Sequence, residues 1–328
     1  MPNLPNPVYW AIPGFVGLLL LEYWVAKRQR RRLHERKDTL TSLGLGFGSL
    51  VAGILSAGLV AALSIRVYDF RLIDIGYAWW AFVLCFLLDD LAYYAFHRSA
   101  HRVRWFWASH VVHHSSERYN LSTALRQTWT GFISLNFLFR LPLFLIGFPP
   151  PMVFFCVGLN LVYQYWIHTE TIRRMPRWFE AVMNTPAHHR VHHAVNPRYL
   201  DRNYAGVFII WDRMFGSFEP ERDDDPPRYG IVKPLGSYNL FWAALHEWAE
   251  MARDAWRAPG LKAKLAYLVR EPGWSHDGSR ETSEMIRARW REEGIAPPRH
   301  PGESRDLGET RQTSRPEVPA SAGMTIGG

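Results

Sequence analysis

The sequence predicts an all-α integral membrane protein with about four or five transmembrane or hairpin helices and a cytosolic helical cap that holds a histidine-rich dimetal site. Three observations predict it. Uninterrupted apolar runs approach or reach the ~20 residues that cross a bilayer, and they lie in the front part of the chain. Seven basic residues crowd into the eleven positions from Lys27 to Lys37, directly after the first run, where the positive-inside rule places cytosolic charge. Ten of the fourteen histidines fall between positions 97 and 193, in groups whose spacing repeats.

Composition sets the bounds. A hydrophobic content of 48%, with 15% aromatic residues, sustains a large core, and a polar C-terminal third dilutes the mean hydropathy. The net charge of +8 does not make this a nucleic-acid-binding chain, because the basic run comes with no recognised binding fold. That run reads as a topology anchor and a contact for anionic headgroups. The two cysteines, Cys85 and Cys156, sit inside apolar runs and offer neither a disulfide framework nor a cysteine zinc site. Ahead of the first run there is no basic segment or small-residue cleavage motif, so the run reads as a retained span.

Residues 8 to 26 form the first predicted span, with Pro13 near its start and Glu22 near its end. The second, 39 to 65, carries Gly44, Gly46, Gly48, Gly53 and Gly58, which let neighbouring helices approach closely. The third, 76 to 96, begins with Trp79 and Trp80 at the outer interface. It carries Asp89 and Asp90, carboxylates that are costly at membrane depth unless partnered. Runs at 129 to 147 and 152 to 167 flank the breaker Gly147, Phe148, Pro149, Pro150, Pro151 and read as a helical hairpin with both ends cytosolic. Residues 239 to 256 show the spacing of an amphipathic helix, one that packs on the catalytic region or lies on the membrane surface. Periodicity fades after Trp274 and is lost after Gly302, so residues 275 to 328 read as a polar, disordered tail. The chain therefore divides into N-terminal spans with a basic loop (1 to 75), a histidine-rich domain (76 to 274) and that tail.

The histidines carry the chemistry. His97 and His101 are spaced i,i+4, while His110, His113, His114 and His189, His192, His193 are both spaced i,i+3,i+4, so each set shares one helical face. Neutral imidazole suits Fe, Zn, Cu and Ni. Eight or nine such ligands are too many for one tetrahedral zinc, and two metals sharing them is the natural solution. His168 follows the second run of the hairpin and so falls on the same side as the clusters. His188 lies outside the repeated spacing, and ligation and packing are equally open for it. Solitary His34, His246, His276 and His300 read as ordinary residues. His300, Pro301 and Gly302 are followed by Glu303 with no apolar domain around them, so they make no haem site.

The words HRSAH (97 to 101), HVVHH (110 to 114) and HRVHH (189 to 193) resemble the histidine boxes of the fatty acid hydroxylase and sterol desaturase superfamily, membrane di-iron oxygenases. Flanking words at 107 to 127, 163 to 170 and 184 to 221 resemble its alkylglycerol monooxygenase branch, which cleaves ether lipids with tetrahydrobiopterin. The resemblance implies two iron ions, with zinc able to occupy the same ligands in preparations. It implies as ligands His97, His101, His110, His113, His114, His189, His192 and His193, with His168 a ninth. After its second histidine that branch carries Glu, where this chain has Arg102. That difference bears on the pterin and the ether-lipid substrate and leaves the metal inference untouched.

Ligating imidazoles need an acceptor on their other nitrogen. Asp90 is the first candidate, then Glu170 and Asp201, while Asn184 reads as a helix cap. The expected function is hydroxylation of a lipid C–H bond with dioxygen. Desaturation by the same site is the second reading, and metal transport, which would scatter ionisable residues through the spans, is the third. With no GxGxxG, CxxC cluster or haem motif, electrons come from an external donor or a pterin.

Overall fold

The computed structural model describes residues 4–293. Among them every regular element is helical; the only β pairing is three isolated bridges. Three helices are long and apolar enough to cross a membrane: α1 (Pro7–Arg28), α2 (Arg36–Tyr68) and α3 (Trp79–Arg102). In α1 and α2 most apolar side chains point outward, Leu55 being 81% exposed, as chains facing lipid do. α1 opens on Asn6, whose side chain accepts from Val8 N, and closes on Lys27 and Arg28, both suited to the helix dipole.

The glycines of α2 divide into two groups. At Gly44, Gly46 and Gly48 an added Cβ would collide with Leu240, Leu125 and Trp129, whereas Gly53 and Gly58 face open space. The close approach is thus made by the cap and not by a neighbouring span, and Trp129 donates its indole N–H to Leu45 O at 3.0 Å. α3 extends past the predicted end of its apolar run and carries His97 and His101 on its last turns.

α4 (Arg104–His114) follows after one residue and brings the second histidine group back against α3. The one-turn α5 (Leu121–Ala124) is capped by Asn120. The run expected to form the first arm of a hairpin does not make a single helix. It breaks into turns, a 3-10 stretch Asn136–Arg140 and the short α6 (Leu141–Ile146), which ends on Gly147 at φ +127°. Within this broken run the Arg140 guanidinium turns to Asp89 at 2.7 Å and compensates a wholly buried carboxylate. α7 (Pro150–Trp166) starts on the proline breaker and packs on α3 and α1. Its polar residues face α3: Asn160 donates to Asp90 at 2.9 Å and Gln164 donates to Asn160 at 2.6 Å.

The rest is cap. α8 (Arg177–Val182), α9 (Pro186–His192) and α10 (Ile210–Met214) are short, and α11 (Leu240–Arg257) packs on α4. Arg104 fastens that contact through Glu247 at 2.6 Å and Asp254 at 2.8 Å. α12 (Gly260–Val269) packs on α11. α13 (Ser283–Glu293) occupies the start of the stretch expected to be disordered, a correction whose cause is tertiary. Ile286 is buried and Arg287, though charged, is buried with it and donates to Leu200 O at 2.7 Å. The expected haem-like tripeptide at His300 lies outside the described residues.

Candidate metal centre

The nine expected ligand histidines come together in two adjoining sets, and His188 joins neither. His97, His101, His110, His114 and His192 form one set; His113, His168, His189 and His193 form the other, with one nitrogen from each member within 4.8 Å of the rest of its set. α3 supplies two of these side chains and α4 three; the others come from the residues after α7 and from α9 with its C-cap. The ring of His114 stacks on that of His193 at 4.4 Å and joins the two sets.

Nε2 atoms face one another throughout. His97 to His110 is 2.9 Å, His114 to His110 3.0 Å and His192 to His114 3.1 Å in the first set. In the second, His168 to His113 is 3.1 Å, His189 to His168 3.0 Å and His193 to His189 3.2 Å. The opposite ring nitrogens explain why the His168–His113 contact cannot be an ordinary hydrogen bond between neutral rings. Nδ1 of His97, His113, His168 and His192 lies 2.7–3.2 Å from the carbonyls of Tyr204, Arg126, Gln164 and Arg202, and a carbonyl only accepts. The Nδ1 of each therefore carries the proton, which leaves the Nε2 lone pair of a neutral ring pointing inward.

Burial, reinforced by neighbouring imidazoles, holds His110, His114, His189, His192 and His193 well below the usual histidine pKa, and burial brings His113 down to about 4. Neutral rings with converging lone pairs repel unless a cation sits between them. His101 Nε2 is a buried nitrogen without a partner, as such a cation would require. The donor set therefore fits two metal ions, one to each set of histidines.

The carboxylates expected around the site take different parts. Asp201 accepts from His101 Nδ1 at 3.2 Å, as its position suggested. Burial pushes the Asp201 carboxyl up, but that bond and the charges of His101 and Arg102 outweigh it and leave it below its ordinary value. Asp90 makes no hydrogen bond to a histidine. Its two oxygens accept from the backbone of Val207 and Phe208, from the Trp211 indole and from Asn160, so it anchors the segment before α10 to α3. Glu170 likewise touches no histidine and pairs with Arg31 at 3.3 Å. Asn184 is not a helix cap; Thr185 precedes α9, and Asn184 donates to Ala205 O at 2.7 Å. His188 packs edge-on against Phe218, its ring centroid 5.4 Å away.

Sequence reasoning missed the backbone carbonyls that orient four of the nine rings, because a carbonyl has no residue type. It also missed Arg190. That side chain binds Glu221 through two oxygens and donates to the carbonyls of Thr169, Ile172 and Arg173, fixing α9 against the residues that follow His168. Trp107 packs beside His101 and His114, and Tyr119 beside His168 and His193. His246, read as an ordinary residue, lies in the lining of the cavity that reaches the site.

That cavity, of about 530 Å³, has His101, His114, His192 and His193 at its base. Its walls are mainly apolar, with Trp107, Val111, Leu235 and Trp242, and charged residues including Lys233 and Glu250 also line it. Arg102 is not among its lining residues and instead holds Glu271 at 2.8 Å. The arrangement can bring an apolar chain up to the metal-binding nitrogens while excluding bulk water.

Residues 82–217 match the model of the family described as fatty acid hydroxylase. The chain is 39% identical to the alkylglycerol monooxygenase of Danio rerio over 279 residues, which cover 83% of this chain and 61% of that protein. Against the Homo sapiens alkylglycerol monooxygenase the identity is 38% over 281 residues, 84% of this chain and 61% of the relative. A cholesterol 25-hydroxylase-like protein of Danio rerio is 31% identical over 150 residues, 43% of this chain and 57% of the relative. The chain thus spans about three-fifths of the length of these alkylglycerol monooxygenases. No solved structure matches it.

Proposed function

Through residues 82–217 the chain belongs to the fatty acid hydroxylase family, and from that premise we propose that it is a membrane monooxygenase that hydroxylates a C–H bond of a lipid. One observation carries the reading: two adjoining sets of buried imidazoles, of which His101, His114, His192 and His193 line a largely apolar cavity. When bound there, two iron ions would supply dioxygen activation for insertion into an unactivated C–H bond, and zinc would fill the same ligands without that chemistry. The nine histidines are the proposed ligands, five in one set and four in the other.

The chain's own residues do the rest. The carbonyls of Tyr204, Arg126, Gln164 and Arg202, with the Asp201 carboxylate, hold Nδ1 protons and so aim the rings. Trp107, Val111, Leu235 and Trp242 orient an acyl or alkyl chain and keep water from it. The named relatives act on alkylglycerols and, more distantly, on cholesterol, and an ether lipid is the first substrate to try. Electrons come from outside the described residues, and tetrahydrobiopterin is the donor to test first.

The site is proposed to face the cytosol. Supporting this, the basic stretch after α1 lies on the histidine side: Arg31 pairs with Glu170, and the Leu33 carbonyl accepts from Asn120. The deciding experiment supplies membranes containing the chain with alkylglycerol under labelled dioxygen, with and without tetrahydrobiopterin. Incorporation of one labelled oxygen per product, abolished in His113→Ala, supports the proposal. Turnover without label would end it.

A further inference from the structure

A second cleft, of about 460 Å³, lies between α8 and α10, away from the histidine sets. The geometry points to a binding site there for the phosphate of an anionic phospholipid from the surrounding bilayer. The inference rests on reading α1 to α3 as spans and not on the proposed reaction.

Arg174, Arg177 and Arg213 line the cleft with Glu180, Glu221 and His188. Glu221 is committed to an arginine, held through both oxygens by Arg190 at 2.9 and 2.6 Å, and Glu180 accepts through Oε1 from Met175 N at 2.8 Å and Thr185 Oγ1 at 3.2 Å. The arginines are far less committed. Arg213 has no carboxylate partner; it lies over the Phe218 ring at 3.8 Å and donates to the Glu180 carbonyl. Arg177 forms no ion pair or hydrogen bond among the described residues, and Arg174 shares the single carboxylate of Asp223 with Arg173. His188 is only 4% exposed, and its Nδ1 is buried without a hydrogen-bond partner. Several guanidinium donors facing one cleft beside a buried ring nitrogen match the oxygens of a phosphate.

The surroundings select a lipid as its carrier. The segment before α10 descends along α3: Trp211 donates to Asp90 at 2.9 Å, and the Phe208 ring lies 6.0 Å from Phe86, within the apolar run of that helix. α8 joins the same segment, Asn184 N donating to Val207 O at 2.7 Å. Both short helices are thereby held beside the middle of α3, at Phe86 and Asp90. Around the cleft their exposed side chains are large and apolar. Trp178 is 74% exposed and Met214 68%, with Val182 and Phe215 beside them. Exposed aromatic and aliphatic side chains next to Arg177 and Arg213, which have no carboxylate partner among the described residues, are the composition of a headgroup site at a membrane interface, with the acyl chains passing into the bilayer.

The test uses the full chain with Ala181→Cys, a position that lines the cleft, labelled with an environment-sensitive fluorophore; Cys85 and Cys156 are buried and do not compete. Labelled protein in dodecyl maltoside micelles is titrated with dioleoylphosphatidylglycerol, dioleoylphosphatidylcholine or inorganic phosphate. The expected result is a saturable response to the anionic lipid and none to the zwitterionic one. Arg177→Gln with Arg213→Gln should weaken that response by roughly thirtyfold, and Arg177→Lys with Arg213→Lys should recover most of it. An unchanged thermal unfolding midpoint shows that the variants fold. Equal responses to the two lipids, or a double glutamine variant that titrates like the parent, overturn the site. Saturation by inorganic phosphate at the same concentrations overturns the lipid as its source.

Discussion

At the scale of single residues, a ligand's worth depends on which set it belongs to and on what holds its far nitrogen. His113 and His192 belong to different sets, so His113→Ala and His192→Ala should each release one metal ion per chain and lower lipid oxidation by at least about a hundredfold. Metal analysis of the purified variants checks the first outcome and product formation the second. Asp201 has φ +54°, a backbone conformation that Asp and Asn tolerate better than other non-glycine residues. Asp201→Asn therefore keeps the turn while removing the charge opposite His101, and metal affinity should fall about 10- to 100-fold. Competition with a chelator of known affinity measures it, and an unchanged affinity would remove Asp201 from the site.

At the scale of elements, the carboxylates of α3 act through packing. Asp90 ties α3 to residues 207–211, and the same irregular segment presents the Arg202 and Tyr204 carbonyls to His192 and His97. Asp90→Ala strands the buried Val207 N–H and the partly buried donors of Phe208 and Trp211, each costing up to about 1–3 kcal/mol, and leaves Asn160 with Asp89 alone. The expected outcome is a large fall in the unfolding midpoint together with loss of metal, although no ligand is touched. Arg140→Met leaves Asp89 buried and uncompensated, a loss of about 3–5 kcal/mol, which adding Asp89→Asn should largely recover. Thermal unfolding of the single and double variants in detergent reads both effects. If the double variant were no more stable than Arg140→Met, an uncompensated Asp89 charge would not be the source of the loss.

For the molecule as a whole, the metal centre is also a structural centre. It gathers α3, α4, α9 and the residues after α7, and without cations the Nε2 lone pairs of His97, His113, His168 and His192 would crowd against neighbouring rings. Chelation should lower the unfolding midpoint by many degrees, because metal binding is coupled to folding. Ferrous ion and zinc should both restore the midpoint, while only iron should restore labelled-oxygen incorporation. A midpoint indifferent to chelation would show that packing alone holds the histidines together.

Helix class, the three long spans and the membership of the histidine groups are legible in the sequence because they are periodic: apolar length reports a bilayer, and i,i+3,i+4 spacing reports one helical face. Position along the chain also placed His168 with the others. What the chain alone could not decide is how those faces divide. His113 and His114 are neighbours, yet they point to different sets, and His188 is excluded although it adjoins His189. Nor could it show that Asp90 and Glu170 satisfy a backbone segment and an arginine while Asp201 alone of the three meets a ring, or that Arg140 in the broken run pairs with Asp89. These outcomes depend on partners distant in sequence, most of them backbone groups that any residue type supplies. Only the packed structure determines which buried donor meets which acceptor.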